Sequence, residues 1–203
     1  MTGDIGMEDA PLNRIEKVDI AITHSAAGFY DSPAGRVLGN IGKIGDEAPL
    51  LGIAALTALY GIAASKRRVA DAGFRMARAE LVAIVLKTLG KRSVNRTRPT
   101  ALLEDRTYRM EPGTSSSHAL QSFPSGHTAG AVAVARAFAH VFPERAPLAL
   151  TGALIVGLLQ LPRKAHFASD VAAGVLLGFL AERLSRPSRP VCSEPRGTAG
   201  VHA

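Results

Sequence analysis

The sequence predicts an all-α fold, a bundle of five or six helices embedded in a membrane. Three observations predict it: uncharged apolar runs of near-spanning length, apolar residues recurring at helical spacing, and the dominance of small residues within those runs. Of 203 residues, 47% are hydrophobic but only 5% aromatic; tryptophan is absent and glycine occurs 20 times. Small residues suit close helix–helix contact, in membranes especially. Mean hydropathy is only weakly positive, so each run has to be read by itself.

The elements follow in order. Residues 1–16 are polar and read as a lead-in. Residues 17–31 form a short, moderately apolar helix with Ile20, Ala21, Ile22, Ala26 and Phe29. From Ala48 to Ser65 runs an uncharged stretch of spanning length. It stops at Lys66, Arg67 and Arg68, a cytoplasmic signal by the positive-inside rule. Residues 73–90 repeat apolar side chains at helical spacing between Arg75, Arg78, Glu80 and Lys87. Residues 99–123 have no such period and read as a long loop, the kind that often carries function. Helices over 127–142, 148–161 and 170–184 complete a helical domain spanning 17–184. Residues 185–203 are a basic Pro/Arg-rich tail of disordered composition. No strand, repeat or glycine-rich nucleotide loop stands out.

Charge and cysteine content narrow the function classes. A net charge of +7 and a pI near 10.1 favour an anionic partner, whether phosphate, acidic lipid or nucleic acid. The tail reads as facing lipid headgroups, so nucleic acid is not expected. A single cysteine, Cys192, excludes an internal disulfide and any cysteine-based metal site. Acidic residues Asp4, Glu8 and Asp9 stand where a signal peptide would be basic and then apolar. An outward-facing site therefore implies a chain that is itself embedded.

Three clusters carry chemistry: Lys91 with Arg98-Pro99, Pro124-Ser125-Gly126-His127, and His166 with Asp170. Each falls at a helix end, and counting helix passes brings all three to one side. Lys91 supplies a point charge and Arg98 a planar fork for two phosphate oxygens. Pro99 biases Arg98 toward an extended conformation. Gly126 and His127 open a helix, so their N–H groups point at an anion with the dipole assisting. His166 and Asp170 lie four apart, and a carboxylate on one imidazole nitrogen would leave the other to attack. Phosphoryl transfer needs this kind of positioning and charge. Taken singly, His127 reads as a cap, His166 and Asp170 as a surface pair, and Lys91 and Arg98 as interfacial anchors. Arg136 with His140 reads as a snorkelled pair, and His118 as an exposed loop histidine.

In this order the clusters resemble the pattern of the type 2 phosphatidate phosphatase and vanadium haloperoxidase superfamily: KxxxxxxRP, PSGH and SRxxxxxHxxxD. The resemblance covers roughly Lys91 to Asp170. It implies a helical core with His166 as nucleophile, His127 as acid and base, and Asp170 completing the catalytic set. It also implies phosphate binding by Lys91, Arg98, Ser125 and Gly126, with no metal or other cofactor for phosphatase activity. The chain departs from the pattern where Leu159-Gln160 replaces Ser-Arg. Gln160 then offers one uncharged hydrogen bond, and Arg163, beyond Pro162, is the candidate to replace the missing guanidinium. The expected function is hydrolysis of a lipid phosphate, phosphatidate or a polyprenyl (pyro)phosphate. The expected location is a multi-pass cell-membrane protein with its site on the outer face. A vanadium-dependent haloperoxidase, a non-catalytic phospholipid-binding membrane protein and a soluble helical bundle are the alternatives. Oligomeric state is not legible.

Overall fold

Helix boundaries follow local capping chemistry more closely than the apolar runs that reveal the helices. The computed structural model describes residues 12–104 and 107–186. Residues 1–11 of the expected lead-in and 187–203 of the expected tail, Cys192 included, lie outside the described residues. The order is α1 (Arg14–Asp31), α2 (Pro33–Ile41), a 3-10 turn (Gly42–Gly45), α3 (Glu47–Ala63), α4 (Arg67–Lys91) and β1 (Val94–Arg96). Then come α5 (Pro99–Leu103), β2 (Met110–Pro112), α6 (Gly126–Val141), α7 (Ala146–Leu158) and α8 (Ala168–Ser185).

Six of these eight helices correspond to the six expected runs; α2 and α5 are additions to the expected five- or six-helix bundle. Helix α1 starts inside the expected lead-in because Asn13 and Glu16 form a reciprocal capping box, with Glu16 N–H donating to Asn13 Oδ1 at 2.9 Å. Ser32 caps α2 by accepting from Gly35 N–H, and Pro33 fills its first position, where a missing N–H costs nothing. The expectation of no strand is corrected as well. Within the supposed loop, β2 pairs antiparallel with β1 in the register Val94↔Pro112, Asn95↔Glu111 and Arg96↔Met110. Three-residue strands are too short to print an alternating pattern.

Helix α6 is the centre of the bundle, packed against α3, α4, α7 and α8. Its Ala129, Val132, Ala133 and Ala137 are buried. One core cluster joins Leu50 and Ala54 of α3, Met76, Ala79 and Ala83 of α4, Ala133 and Val134 of α6, and Ala181 of α8. Such small side chains fill space only when backbones touch. A Cβ built on Gly178 of α8 would lie 2.6 Å from the Ala129 carbonyl oxygen of α6. One built on Gly73 of α4 would lie 2.3 Å from the Ala58 nitrogen of α3.

The outer faces carry exposed large apolar side chains, among them Leu56, Leu59, Ile62, Leu81, Leu154 and Leu176. Among the described residues no single helix is long and apolar enough to cross a membrane. The pair Pro33–Gly45 and Glu47–Ala63, bent by 54°, reaches that length and composition together. The two ends of the bundle differ in character. At one end, Arg68 Nη2 donates to the Val141 carbonyl at 2.6 Å, and Arg136 meets Glu182 at 3.3 Å over the Phe179 ring. The end of α4 and the starts of α5, α6 and α8 gather at the other, where the three sequence clusters meet.

Backbone contact between α8 and α6 predicts an asymmetric pair of glycine effects. Gly178→Ala should cost about 1–3 kcal/mol and lower Tm by roughly 3–10 °C. Gly152 of α7 has nothing within 4 Å of a built Cβ, so Gly152→Ala should leave Tm unchanged or raise it. Thermal unfolding followed by far-ultraviolet circular dichroism checks both, and equal melting of the two variants would contradict the packing.

Candidate active site

His166 lies in the segment between α7 and α8, 1% exposed. Thr100, at the start of α5, anchors this segment: its N–H and hydroxyl both donate to the Lys164 carbonyl, at 3.1 and 2.7 Å. Lys164 itself sits at φ 53°, a strained left-handed conformation for a residue with a side chain. The His166 Nδ1–H donates to the Ser122 carbonyl at 2.7 Å. That bond assigns the proton to Nδ1 and leaves the Nε2 lone pair facing the His127 ring, 3.3 Å from its Nδ1. Burial, reinforced by His127 and Arg98, holds the His166 pKa well below its ordinary value. The imidazole is therefore neutral, the form with a nucleophilic nitrogen.

Asp170 does not hydrogen-bond this imidazole, contrary to the i,i+4 expectation; its Oδ2 is 4.0 Å from His166 Nδ1. The expectation needs both residues on one helix, but α8 begins at Ala168, after His166. Asp170 instead accepts from the Ser122 hydroxyl at 2.6 Å and from the Phe167 N–H at 2.8 Å, and pairs with Arg96 Nη1. It acts on His166 through Ser122. Arg96, 1% exposed, also reaches Asp19 of α1 at 2.8 Å, Ser169 at 2.7 Å and the Tyr108 hydroxyl at 3.0 Å. Sequence reasoning missed Ser122, Arg96 and Asp19. Only Arg96 left a trace, as one more basic residue beside the first cluster.

In front of the histidines opens a cavity of about 460 Å³. Of the expected residues it is lined by Lys91, Arg98, Gly126, His127 and Arg163; His166, buried against His127, is not part of its wall. Arg98 precedes Pro99 at the α5 start; its backbone N–H donates to the Ala119 carbonyl at 2.8 Å and its Nη2 to the Gln121 carbonyl at 3.1 Å. Among the described residues its Nε is a buried donor without a partner. Burial depresses its pKa, Asp170 opposes the shift and Arg163 adds to it. This is a cation short of an anion. The N–H groups of Gly126 and His127 belong to the first turn of α6 and have no intrahelical acceptor. His118 stands exposed at the rim.

Two expected phosphate ligands face elsewhere. Ser125 is fully buried, N-capping α6 with its Oγ 2.9 Å from Thr128 Oγ1, while its own N–H donates to the Asp170 carbonyl. Gln160 is also buried: its Nε2 donates to the carbonyls of Gly42 and Val156, at 3.1 and 2.8 Å. Its Oε1 accepts from Arg163 Nη1 at 3.0 Å. The residue in the family's arginine position thus steadies an arginine three residues on. The sequence also missed Lys87, one turn before Lys91 on α4 and paired with Glu47, and Asp46 at the start of α3; all three line the cavity. The i,i+4 spacing of the two lysines was a legible signal.

A neutral imidazole nitrogen, a second imidazole beside it and a cluster of cations with helix N–H groups can together attack, bind and protonate a phosphoryl group. Two curated proteins match part of the chain, a lipid A 1-phosphatase of Rhizobium johnstonii and one of Rhizobium etli. Each is 34% identical over 94 residues, or 46% of this chain. The match spans 38% and 40% of those relatives' own lengths. No solved structure matches. The family model of the PAP2 superfamily matches residues 68–190, from the start of α4 through all three clusters. The chain belongs to the PAP2 superfamily.

Proposed function

We propose that this protein is a membrane phosphatase that hydrolyses a phosphorylated lipid through a phosphohistidine on His166. The observation that carries the reading is the His166 Nε2 lone pair, fixed by Ser122, 3.3 Å from His127, which itself lines a cationic cavity.

In the first step the phosphoryl oxygens lie on Arg98, Lys91, Arg163 and the first N–H groups of α6. His166 Nε2 attacks phosphorus, the bond to the lipid oxygen breaks, and that oxygen takes a proton from His127 Nδ1. The phosphorylated ring is cationic. Its Nδ1–H stays on the Ser122 carbonyl, and the Asp170 carboxylate 4.0 Å away offsets the charge. In the second step His127 Nδ1 takes a proton from water, the oxygen attacks phosphorus, and the P–N bond electrons return to His166. Arg163 serves as the phosphate-binding arginine in place of Gln160. The Arg98 Nε without a partner supports anion binding, because a buried donor of this kind is costly until an acceptor arrives.

The lipid part rests on the outer surface. Exposed leucines and isoleucines on α3, α4, α7 and α8 favour a multi-pass position in a cell membrane, where an acyl or prenyl chain stays in lipid while its headgroup enters the cavity. Lys66, Arg67 and Arg68 lie at the end opposite the site, which favours an outer-face site. The names of the two relatives add lipid A 1-phosphate to phosphatidate and polyprenyl pyrophosphate as substrates to try.

Two measurements test this. Phosphate release from a panel of these three lipids should be seen with the wild-type protein and fall at least about a thousand-fold in His166→Ala. Acid-free quench should trap base-stable phosphohistidine in the wild type alone. Lipid binding without phosphate release would favour a non-catalytic membrane protein. Arg163→Ala should lower kcat/KM by roughly 10- to 1,000-fold, as expected for loss of one charged phosphate ligand. Unchanged catalysis in that variant would remove Arg163 from the site.

A further inference from the structure

We infer that Asp46 is a positioning residue of the reaction, orienting His127 and balancing the charge that His127 carries as acid and base. The inference rests on the phosphatase reading above and adds a residue outside the three sequence clusters.

Asp46 occupies the N-cap of α3 in extended backbone, φ −68° and ψ 155°. An aspartate there ordinarily turns its carboxylate onto the N–H groups of the first turn. This one makes no such bond. Its Oδ1 lies 2.7 Å from His127 Nε2 and 3.2 Å from Arg163 Nη1 instead. The local stabilising role has been given up for a contact with residues 81 and 117 positions away in the chain.

The surrounding backbone is shaped for that contact. A Cβ on Gly45 would lie 2.6 Å from Val156 Cγ1 and 3.3 Å from His127 Cβ, so glycine lets the α3 start approach the α6 start. The Gly42 carbonyl accepts from both Gln160 Nε2 and Arg163 Nη1, at 3.1 and 3.3 Å, clamping the turn before α3 to the turns after α7. One carboxylate thereby touches both the acid/base imidazole and the relocated arginine.

Charge explains the need. Around His127 stand Lys87 and Lys91 of α4, Arg98 at the α5 start, Arg163 after α7, and His166. From α3 come Asp46 and Glu47, and Glu47 is paired with Lys87. Burial, then Arg163 and the two lysines, pull the His127 pKa down to about 4 while Asp46 pushes it up. The imidazolium formed in the cycle needs an anion in contact, and Asp46, 2.7 Å away, is placed to be it. With Nε2–H held on Asp46, only the Nδ1 proton moves. It leaves with the lipid oxygen in the first step and is replaced from water in the second, so protons balance over the cycle.

The test compares substrates that do and do not need that proton. Wild type, Asp46→Asn, His127→Asn and the double variant are assayed on phosphatidate in detergent micelles and on p-nitrophenyl phosphate, whose leaving group departs as an anion. In single turnovers, Asp46→Asn should slow phosphohistidine formation about 10- to 100-fold from phosphatidate and less than about threefold from p-nitrophenyl phosphate, because only this first step differs between the substrates. The double variant should be no slower than His127→Asn. Equal losses on both substrates, a change confined to KM, or an additional loss in the double variant would overturn the inference and assign Asp46 to phosphate binding or folding. Should Asp46→Asn fail to fold, Asp46→Ser supplies a helix cap without the charge and reads the same ratio. No phosphate release by wild type from either substrate overturns the phosphatase reading and this inference together; release with equal losses overturns the inference alone.

Discussion

Everything at the site end depends on one buried carboxylate. Asp170 is fully enclosed, and its charge is tolerable there because Arg96, the Ser122 hydroxyl and the Phe167 N–H all meet it. Arg96 is equally enclosed, and its charge is shared with Asp19, which also accepts from Ser169 N–H at 3.1 Å. These bonds join α1, β1, the segment before α6 and the start of α8. Removing one member of a buried ion pair costs about 3–5 kcal/mol, because the other charge is left uncompensated. The orientation of His166 is a by-product of that neutralisation. Ser122, held by Asp170, presents its carbonyl to Nδ1, and the direction of the Nε2 lone pair follows.

The cavity in front has the opposite electrostatic character. Lys87, Lys91, Arg98 and Arg163 face it, against Asp46 and Glu47. Among the described residues the buried Arg98 Nε has no acceptor, which leaves one guanidinium donor available to an anion in the cavity. Holding four cations at fixed positions requires a rigid frame, and the bundle supplies it through backbone contact. Gly174 and Gly178 bring α8 onto α6 at the carbonyls of Ser125 and Ala129. The first of these contacts lies immediately beside the first N–H groups of α6, so packing of the core and placement of those donors are set by the same two helices.

What was legible in the sequence had a local or periodic signature. Apolar runs marked six helices, and helix parity brought Lys91, Arg98, His127 and His166 to one end. Short elements were missed because a nine-residue α2 and three-residue strands leave little periodicity. Partners were missed where the pairing is long-range: Asp19 and Ser169 are 150 residues apart and Asp46 reaches Arg163 across 117. The hydrogen-bond partners of Ser125 and Gln160 were not legible for a third reason. A motif fixes residue identities but not rotamers, and the hydroxyl of Ser125 found a helix N–H and Thr128 while the amide of Gln160 found two carbonyls.

Gln160, in the motif-arginine position, and Arg163 form one hydrogen-bonded unit. Past Leu158 the chain leaves α7 in a series of turns, so residues 160 and 163 are no longer constrained to one helical face. The Gln160 amide sits against the Gly42 carbonyl, which it shares with Arg163 Nη1. Gln160 uses its own oxygen to accept from Arg163, whose guanidinium then stands at the cavity wall. Asp46 meets the same guanidinium at 3.2 Å, so a carboxylate and an amide from two distant segments together fix where Arg163 stands.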